Sequence, residues 1–116
     1  MDIKVKPLQI RIVSPSGEIY DSSSKPDLII KSIVSRGVIP SKGNFFQGEE
    51  IFDFEILPDH TPFIAKISEK SSIKVSTNQK DLLFHTVKGG VVTVMHSNDF
   101  TNVLFTLQDV KEEKEK

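Results

Sequence analysis

The chain has 116 residues, a length that suits one domain able to bury roughly 65% of its unfolded surface. With 37% hydrophobic residues, 27% charged residues and a net charge of −1, it has no overall field to draw it to nucleic acid or an anionic membrane. Lack of Cys excludes disulfides and thiolate chemistry, no window approaches the roughly 18 apolar residues of a spanning helix, and Met1–Lys6 lacks a signal-peptide core, so a small soluble cytosolic domain is expected.

Residues 8–13 alternate Leu8, Ile10 and Ile12 with Gln9 and Arg11, the period of a half-buried strand. Ser14-Pro15-Ser16-Gly17 is a turn, Glu18–Tyr20 a returning strand and Asp21–Asp27 a polar loop. Leu28–Val34 is rich in β-branched residues and reads as a strand buried largely on both faces. From Arg36 to Glu50 the pattern dissolves into a long glycine-punctuated loop with Phe45 and Phe46 at its tip.

A strand resumes at Ile51–Ile56 with Asp53 and Glu55 facing out, and ends at the corner Leu57-Pro58-Asp59-His60-Thr61-Pro62. Phe63, Ala65 and Ile67 then share a face, and Ile73 and Val75 continue the alternation. Further strands are expected at Leu82–Val87, Val91–Met95 and Asn102–Leu107, with turns at Thr77–Lys80 and Ser97–Asp99. Gly89-Gly90 fits a bulge or a close backbone approach. The sum is an all-β fold: an antiparallel β-sandwich of about ten strands over residues 1–110, then a charged tail, residues 111–116, that frays.

Catalytic patterns are missing. His60, His85 and His96 have neither the i, i+2 nor the i, i+4 spacing of paired ligands. There is no Gly-x-x-x-x-Gly-Lys-Ser/Thr phosphate loop and no Gly-x-Ser-x-Gly elbow. Asp53 and Glu55 at i, i+2 suit the guarding of a strand edge better than acid–base work. Basic residues are interleaved with acids, which disfavours a nucleic-acid groove. The expectation is a non-catalytic chain with no cofactor and no metal.

Function then falls to surface. Pro58 and Pro62 each fix φ and remove a backbone donor, so neither sits within a central strand, and His60 projects from a stiff corner. Phe45 and Phe46 are aromatic anchors of the kind that dominate interfaces, or rings that fold back onto the sandwich. The candidate partner-binding residues are Phe45, Phe46, Asp53, Pro58, Asp59, His60 and Pro62.

Three segments in order carry a family resemblance: Val13-Ser14-Pro15-Ser16-Gly17, Ile56-Leu57-Pro58-Asp59-His60-Thr61-Pro62-Phe63, and Lys88-Gly89-Gly90 followed by a strand. Together they resemble the epsilon subunit of the F-type ATP synthase, equivalent to the mitochondrial delta subunit, over roughly residues 8–109. That family has Val-Ser-Pro-x-Gly, Ile-Leu-Pro-Gly-His-x-Pro-Leu and Ser-Gly-Gly at these places. The resemblance implies a ten-stranded sandwich at the foot of the central stalk. It would join the gamma subunit to the membrane c-ring and turn with them, in indirect association with the catalytic alpha/beta hexamer. Such a subunit is cytoplasmic and peripheral on the inner face of the cell membrane. Pro58, Asp59, His60 and Pro62 match the family turn near gamma.

The departures are local. Asp59 stands where the family usually has Gly, Lys88 where it has Ser, and Glu69-Lys70 where it tends to have Pro-Gly. Residues 38–55 are longer and more aromatic than the loop that faces the c-ring in the family, and the region 98–101 carries an apparent insertion. Six residues after Val110 are too few for the family's C-terminal helical pair, so no C-terminal helical domain is expected. The alternatives are a paralogous subunit of a specialised F-type-like motor with a different membrane base, a stand-alone interaction sandwich, and a metal- or glycan-binding sandwich using the three His.

Overall fold

The computed structural model describes residues 5–38 and 51–113. Where the sequence alternates, the chain is extended: β1 (Leu8–Ser14), β2 (Gly17–Asp21), β3 (Ile30–Val38), β4 (Phe52–Ile56) and β5 (Phe63–Ile67) fill the first part. The second part holds β6 (Ser71–Thr77), β7 (Asp81–Thr86), β8 (Gly90–His96), β9 (Thr101–Leu107) and β10 (Lys111–Glu113). One short 3-10 turn, Ser22–Ser24, follows β2, where the Asp21 carboxylate accepts the Ser23 N–H at 2.9 Å. The all-β expectation holds, and no helix among the described residues is long and apolar enough to cross a membrane.

The strands form one sheet in the order β10-β7-β6-β3-β5-β8-β9-β1-β2, with β4 also on β3. Ile33 pairs with Val75 of β6 and Ile56 of β4, while Gly37 pairs with Ile67 of β5 and Phe52 of β4. A strand residue has one partner on each edge, so β6 and β5 lie end to end along the edge of β3 opposite β4. Between them the chain bends at Ser68–Lys70, and alongside it bends again at Val87–Gly89, between β7 and β8. Lys70 N–H donates to Val87 O at 2.9 Å and ties the two bends together.

These bends curl the sheet into two facing layers, β4-β3-β6-β7-β10 and β5-β8-β9-β1-β2. Ile10, Ile12, Ile33, Ile73, Val75, Phe84, Val92, Val94 and Phe105 fill the space between them and are fully or almost fully buried. Each large side chain so buried contributes about 1.5–3 kcal/mol against the cost of ordering the chain.

Three features depart from expectation. First, β1 and β9 run parallel, from Leu8↔Thr101 to Val13↔Thr106, in an otherwise antiparallel sheet. Nearly the whole chain lies between these strands, so no hairpin fixes their direction. Second, the strand expected at Leu28–Val34 begins at Ile30 and runs on to Val38. Ile29 is held outside it by Asn78, whose side chain accepts the Ile29 N–H at 2.9 Å and whose own N–H donates to Ile29 O at 2.9 Å. With Lys31 and Arg36 exposed, β3 is not buried on both faces. Third, the charged tail does not fray at Lys111: residues 111–113 pair with β7, and Glu113 Oε2 lies 3.1 Å from His85 Nε2.

Gly89 and Gly90 serve as structural glycines. Gly89 has φ 78°, in the left-handed region, and a Cβ on Gly90 would lie 2.1 Å from the Thr106 carbonyl oxygen. The Asp109 carboxylate closes the same bend, accepting the N–H groups of Val87 at 3.1 Å and Lys88 at 2.8 Å and the Thr86 hydroxyl at 3.0 Å. Those backbone donors, more than any charge, hold its carboxyl below the ordinary carboxylate range.

Two outcomes are expected. Gly90→Ala forces two paired backbones apart and lowers the unfolding free energy by about 1–3 kcal/mol in urea titration, with unchanged slope. As pH falls, the unfolded chain takes up a proton on Asp109 before the folded chain does. The stability due to Asp109 is therefore complete above about pH 4 and drains away below it. Asp109→Asn, titrated in urea from pH 7 to 3, shows a shallower acid loss than the parent chain; an identical acid slope refutes this role.

Candidate functional site

The corner between β4 and β5 is a β-turn over Leu57–His60, closed by the His60 N–H donating to Leu57 O at 3.0 Å. Pro58 sits second, where its fixed φ is pre-set, and Asp59 sits third with φ 66°. Positive φ at the third position is the type II arrangement, which favours Gly and next tolerates Asn and Asp. Asp59 adopts it within a network of long-range bonds. Its carboxylate accepts the Lys6 N–H at 2.9 Å, and its own N–H donates to Thr101 Oγ1 at 2.9 Å. The Thr101 hydroxyl donates to Lys6 O at 2.9 Å, and the Thr101 N–H to Pro7 O at 2.8 Å. Thr101 is fully buried, so each of these bonds is costly to leave unmade.

His60 is half-buried and turned inward along the corner. Its ring lies 4.9 Å from that of Phe63, which meets Phe54 of β4 edge-on at 5.9 Å. His60 Nδ1 is 2.8 Å from Thr61 O, and His96 Nε2 is 2.7 Å from His60 O. Carbonyls only accept, so both of these nitrogens carry hydrogen. The corner is therefore pinned by strand β8 through His96, by β9 through Thr101 and by the leading segment through Lys6.

Of the expected partner-binding residues, Pro58, Asp59, His60 and Pro62 share this corner, with Asp59 and Pro62 exposed. Asp53 lies apart from them. It projects from β4 on the side away from Phe54 and pairs with Arg36, Nε to Oδ1 at 2.8 Å. The hydrogen bond from Arg36, reinforced by its charge, keeps the Asp53 carboxyl below the ordinary range. Phe45 and Phe46 lie outside the described residues. Sequence reasoning missed Thr101 and His96, because a lone Thr in a β-rich run and a His beside a turn carry no local mark of a bond to the chain some 40 residues earlier.

A separate cleft of ≈ 290 Å³ opens at the seam between β2 and the β7–β10 edge, lined by Tyr20, Lys25, Leu28, Lys80, Leu82 and Glu112. Lys25 Nζ stands 5.2 Å above the Tyr20 ring, and burial, then Glu112, pushes the Tyr20 hydroxyl up. Among the described residues no three of His, Asp and Glu converge as metal ligands. A scan against protein-family models finds no match to the chain, and a search of curated proteins finds no match either.

The corner's role as a backbone device gives a graded expectation. Asp59→Ala loses the Lys6 bond and still carries a Cβ at positive φ, costing about 1–2 kcal/mol. Asp59→Gly loses the same bond but relieves the backbone, and stays within about 0.5 kcal/mol of the parent. Urea unfolding of the two variants side by side decides it: equal losses would mean that the left-handed turn carries no weight.

Proposed function

We propose that this chain is a non-catalytic central-stalk subunit of an F-type rotary ATPase, joining a gamma-type shaft to a membrane base. It works by stiffness and contact, with no chemistry of its own. The three ordered motifs each fall at a junction: the first turns β1 into β2, the second joins β4 to β5, and the glycine pair opens β8.

The observation that carries the reading concerns the backbone. Among the described residues, positive φ occurs at Gly17 (125°), Asp59 (66°), Lys70 (53°) and Gly89 (78°). All four are positions where the epsilon family has glycine. Two of them, Asp59 and Lys70, are places where this sequence departs from the family. The side chain has changed there, yet the backbone keeps the conformation for which glycine is the natural choice. A chance likeness of short motifs gives no reason for that coincidence.

In this role the chain is cytoplasmic and peripheral on the inner face of the membrane. Its membrane base is either a c-ring or the different base of a specialised F-type-like motor. The c-ring base is put first; the altered stretch 38–55, standing where the family faces the c-ring, is what keeps the second in view.

The test is a complex. Purified chain mixed with its cognate gamma-type subunit forms a stable 1:1 complex at micromolar concentration by size-exclusion chromatography with light scattering; no complex at that concentration would falsify the stalk role. Affinity capture from its own cells then separates the two bases. Catalytic, gamma and c-ring chains together mean an ordinary synthase, and catalytic and gamma-like chains without a c-ring mean the specialised motor.

A further inference from the structure

The sheet is curled but not closed. Among the described residues no ladder joins its two end strands, β2 and β10, and the seam between them opens as the cleft of ≈ 290 Å³. Register explains what lines it. Tyr20 of β2 is paired with the buried Ile12, and Glu112 of β10 with the buried Phe84. Directly opposed residues share a face of the sheet, so Tyr20 and Glu112 both stand on its inner side, at its two edges. The Tyr20 ring covers that of Phe84 at 5.6 Å between centroids, and Leu28 and Leu82 pack on the core beside it. The cleft therefore has an apolar floor, laid over the end of the core.

Its polar groups are unspent. Lys25 comes from the loop after the 3-10 turn and Lys80 from the turn before β7, and both line the cleft. Lys25 rests on the Tyr20 ring, Nζ 5.2 Å from its centroid. Among the described residues neither lysine has an ion-pair partner, nor has Glu112, and the Tyr20 hydroxyl has no hydrogen bond. Burial, then Glu112, raises the pKa of that hydroxyl, which keeps it a neutral donor at neutral pH.

We propose that this cleft binds a small organic monoanion, a carboxylate with a short apolar body. The carboxylate meets Lys25 and Lys80, and the body lies on Leu28, Leu82 and Tyr20. Two ammonium groups against one carboxylate leave a net charge of one positive, which a monoanion balances. Charge-assisted bonds from lysine to a carboxylate are among the stronger polar contacts. A cation finds only Glu112, and a neutral molecule leaves both lysines unused. A nucleotide brings more negative charge than the site offsets, and the volume lies at the lower end of the roughly 300–1,000 Å³ of ligand pockets. The stalk reading gives the chain no ligand, so this inference stands or falls apart from it.

The experiment follows the backbone amides of the full chain by two-dimensional NMR during separate titrations with hexanoate, hexanol, hexylamine and inorganic phosphate. Hexanoate is expected to shift the amides of residues 25, 28, 80 and 82 saturably, with a Kd on the order of 1 mM, the range of so small a molecule. The other three probes bind at least about tenfold more weakly. A Lys25→Gln, Lys80→Gln double variant loses about tenfold or more in hexanoate affinity with unchanged thermal stability, because both side chains are exposed. Lys88→Gln, beyond the other end of β7, binds as the parent does. Glu112→Gln removes a like charge and tightens hexanoate about twofold to threefold.

Absence of a saturable hexanoate shift at these residues would make the cleft a solvated seam and overturns the proposal. Equal binding of hexanol or hexylamine reduces it to apolar contact, and equal binding of phosphate to a bare anion site; either overturns the ligand class. Undiminished binding by the double lysine variant, or weakened binding by Glu112→Gln, overturns the roles given to those residues. The four probes compared on the parent chain decide the class even if a variant fails to fold.

Discussion

With no α-helix among the described residues to cover it, this ten-stranded sheet buries one of its faces by folding over on itself, and that fold rests on two adjacent bends, Ser68–Lys70 and Val87–Gly89. The bends must travel together, because β5 is paired to β8 and β6 to β7 on either side of them. Lys70 N–H to Val87 O fastens one to the other, and the Asp109 carboxylate supplies the acceptors that the second bend's free N–H groups need. A bend leaves backbone donors without ladder partners, and a carboxylate with two oxygens is an economical way to satisfy several at once. From the curl follow the enclosed core and two outer faces that need not resemble each other.

The opposite end of the sandwich has a second fastening of the same kind, built on Asp59 and Thr101. Here the left-handed residue is itself the bonding residue. Its carboxylate and amide reach the leading segment and β9, so the turn is bound to strands far from it in sequence. A corner held by His96, Thr101 and Lys6 has spent most of its polar groups internally. What it can offer a partner is rigid shape. This changes the weight given to the residues picked out by sequence: the motif marks where the backbone must be precise.

How much of this was legible depended on how local the cause was. Alternation in Leu8–Val13, Phe63–Ile67 and Asn102–Leu107 showed strands because burial on one side of a pleat imposes a period of two. Gly89-Gly90 and Pro58–Pro62 showed bends because φ is a property of single residues. The direction of β1 against β9 was not legible, since a pleat alternates equally in parallel and antiparallel pairs. Nor was β10: Lys111-Glu112-Glu113 has no apolar residue and becomes a strand only because β7 has a free edge and His85 faces Glu113. Thr101 was invisible for the same reason. Its partners lie 42 and 95 positions away, and nothing near it in sequence records them. Asp53 and Glu55 were read as outward-facing, and both are exposed; the bond of Asp53 to Arg36 came from the strand pairing, which the local pattern could not supply.

The glycine positions carry the argument furthest, because they separate backbone shape from side-chain identity. Selection on a turn acts through φ, and glycine is only the cheapest way to reach positive values. Aspartate reaches them at a modest cost that its own hydrogen bonds to Lys6 and Thr101 offset. Lysine at position 70 has no comparable tendency, and its amide bond to Val87 helps hold it there. At both positions a further bond holds the turn in a conformation that a side chain disfavours. In the stalk role proposed above torque would pass through such junctions, and a body whose corners are fixed by long-range bonds suits a part that must move as a unit with its neighbour.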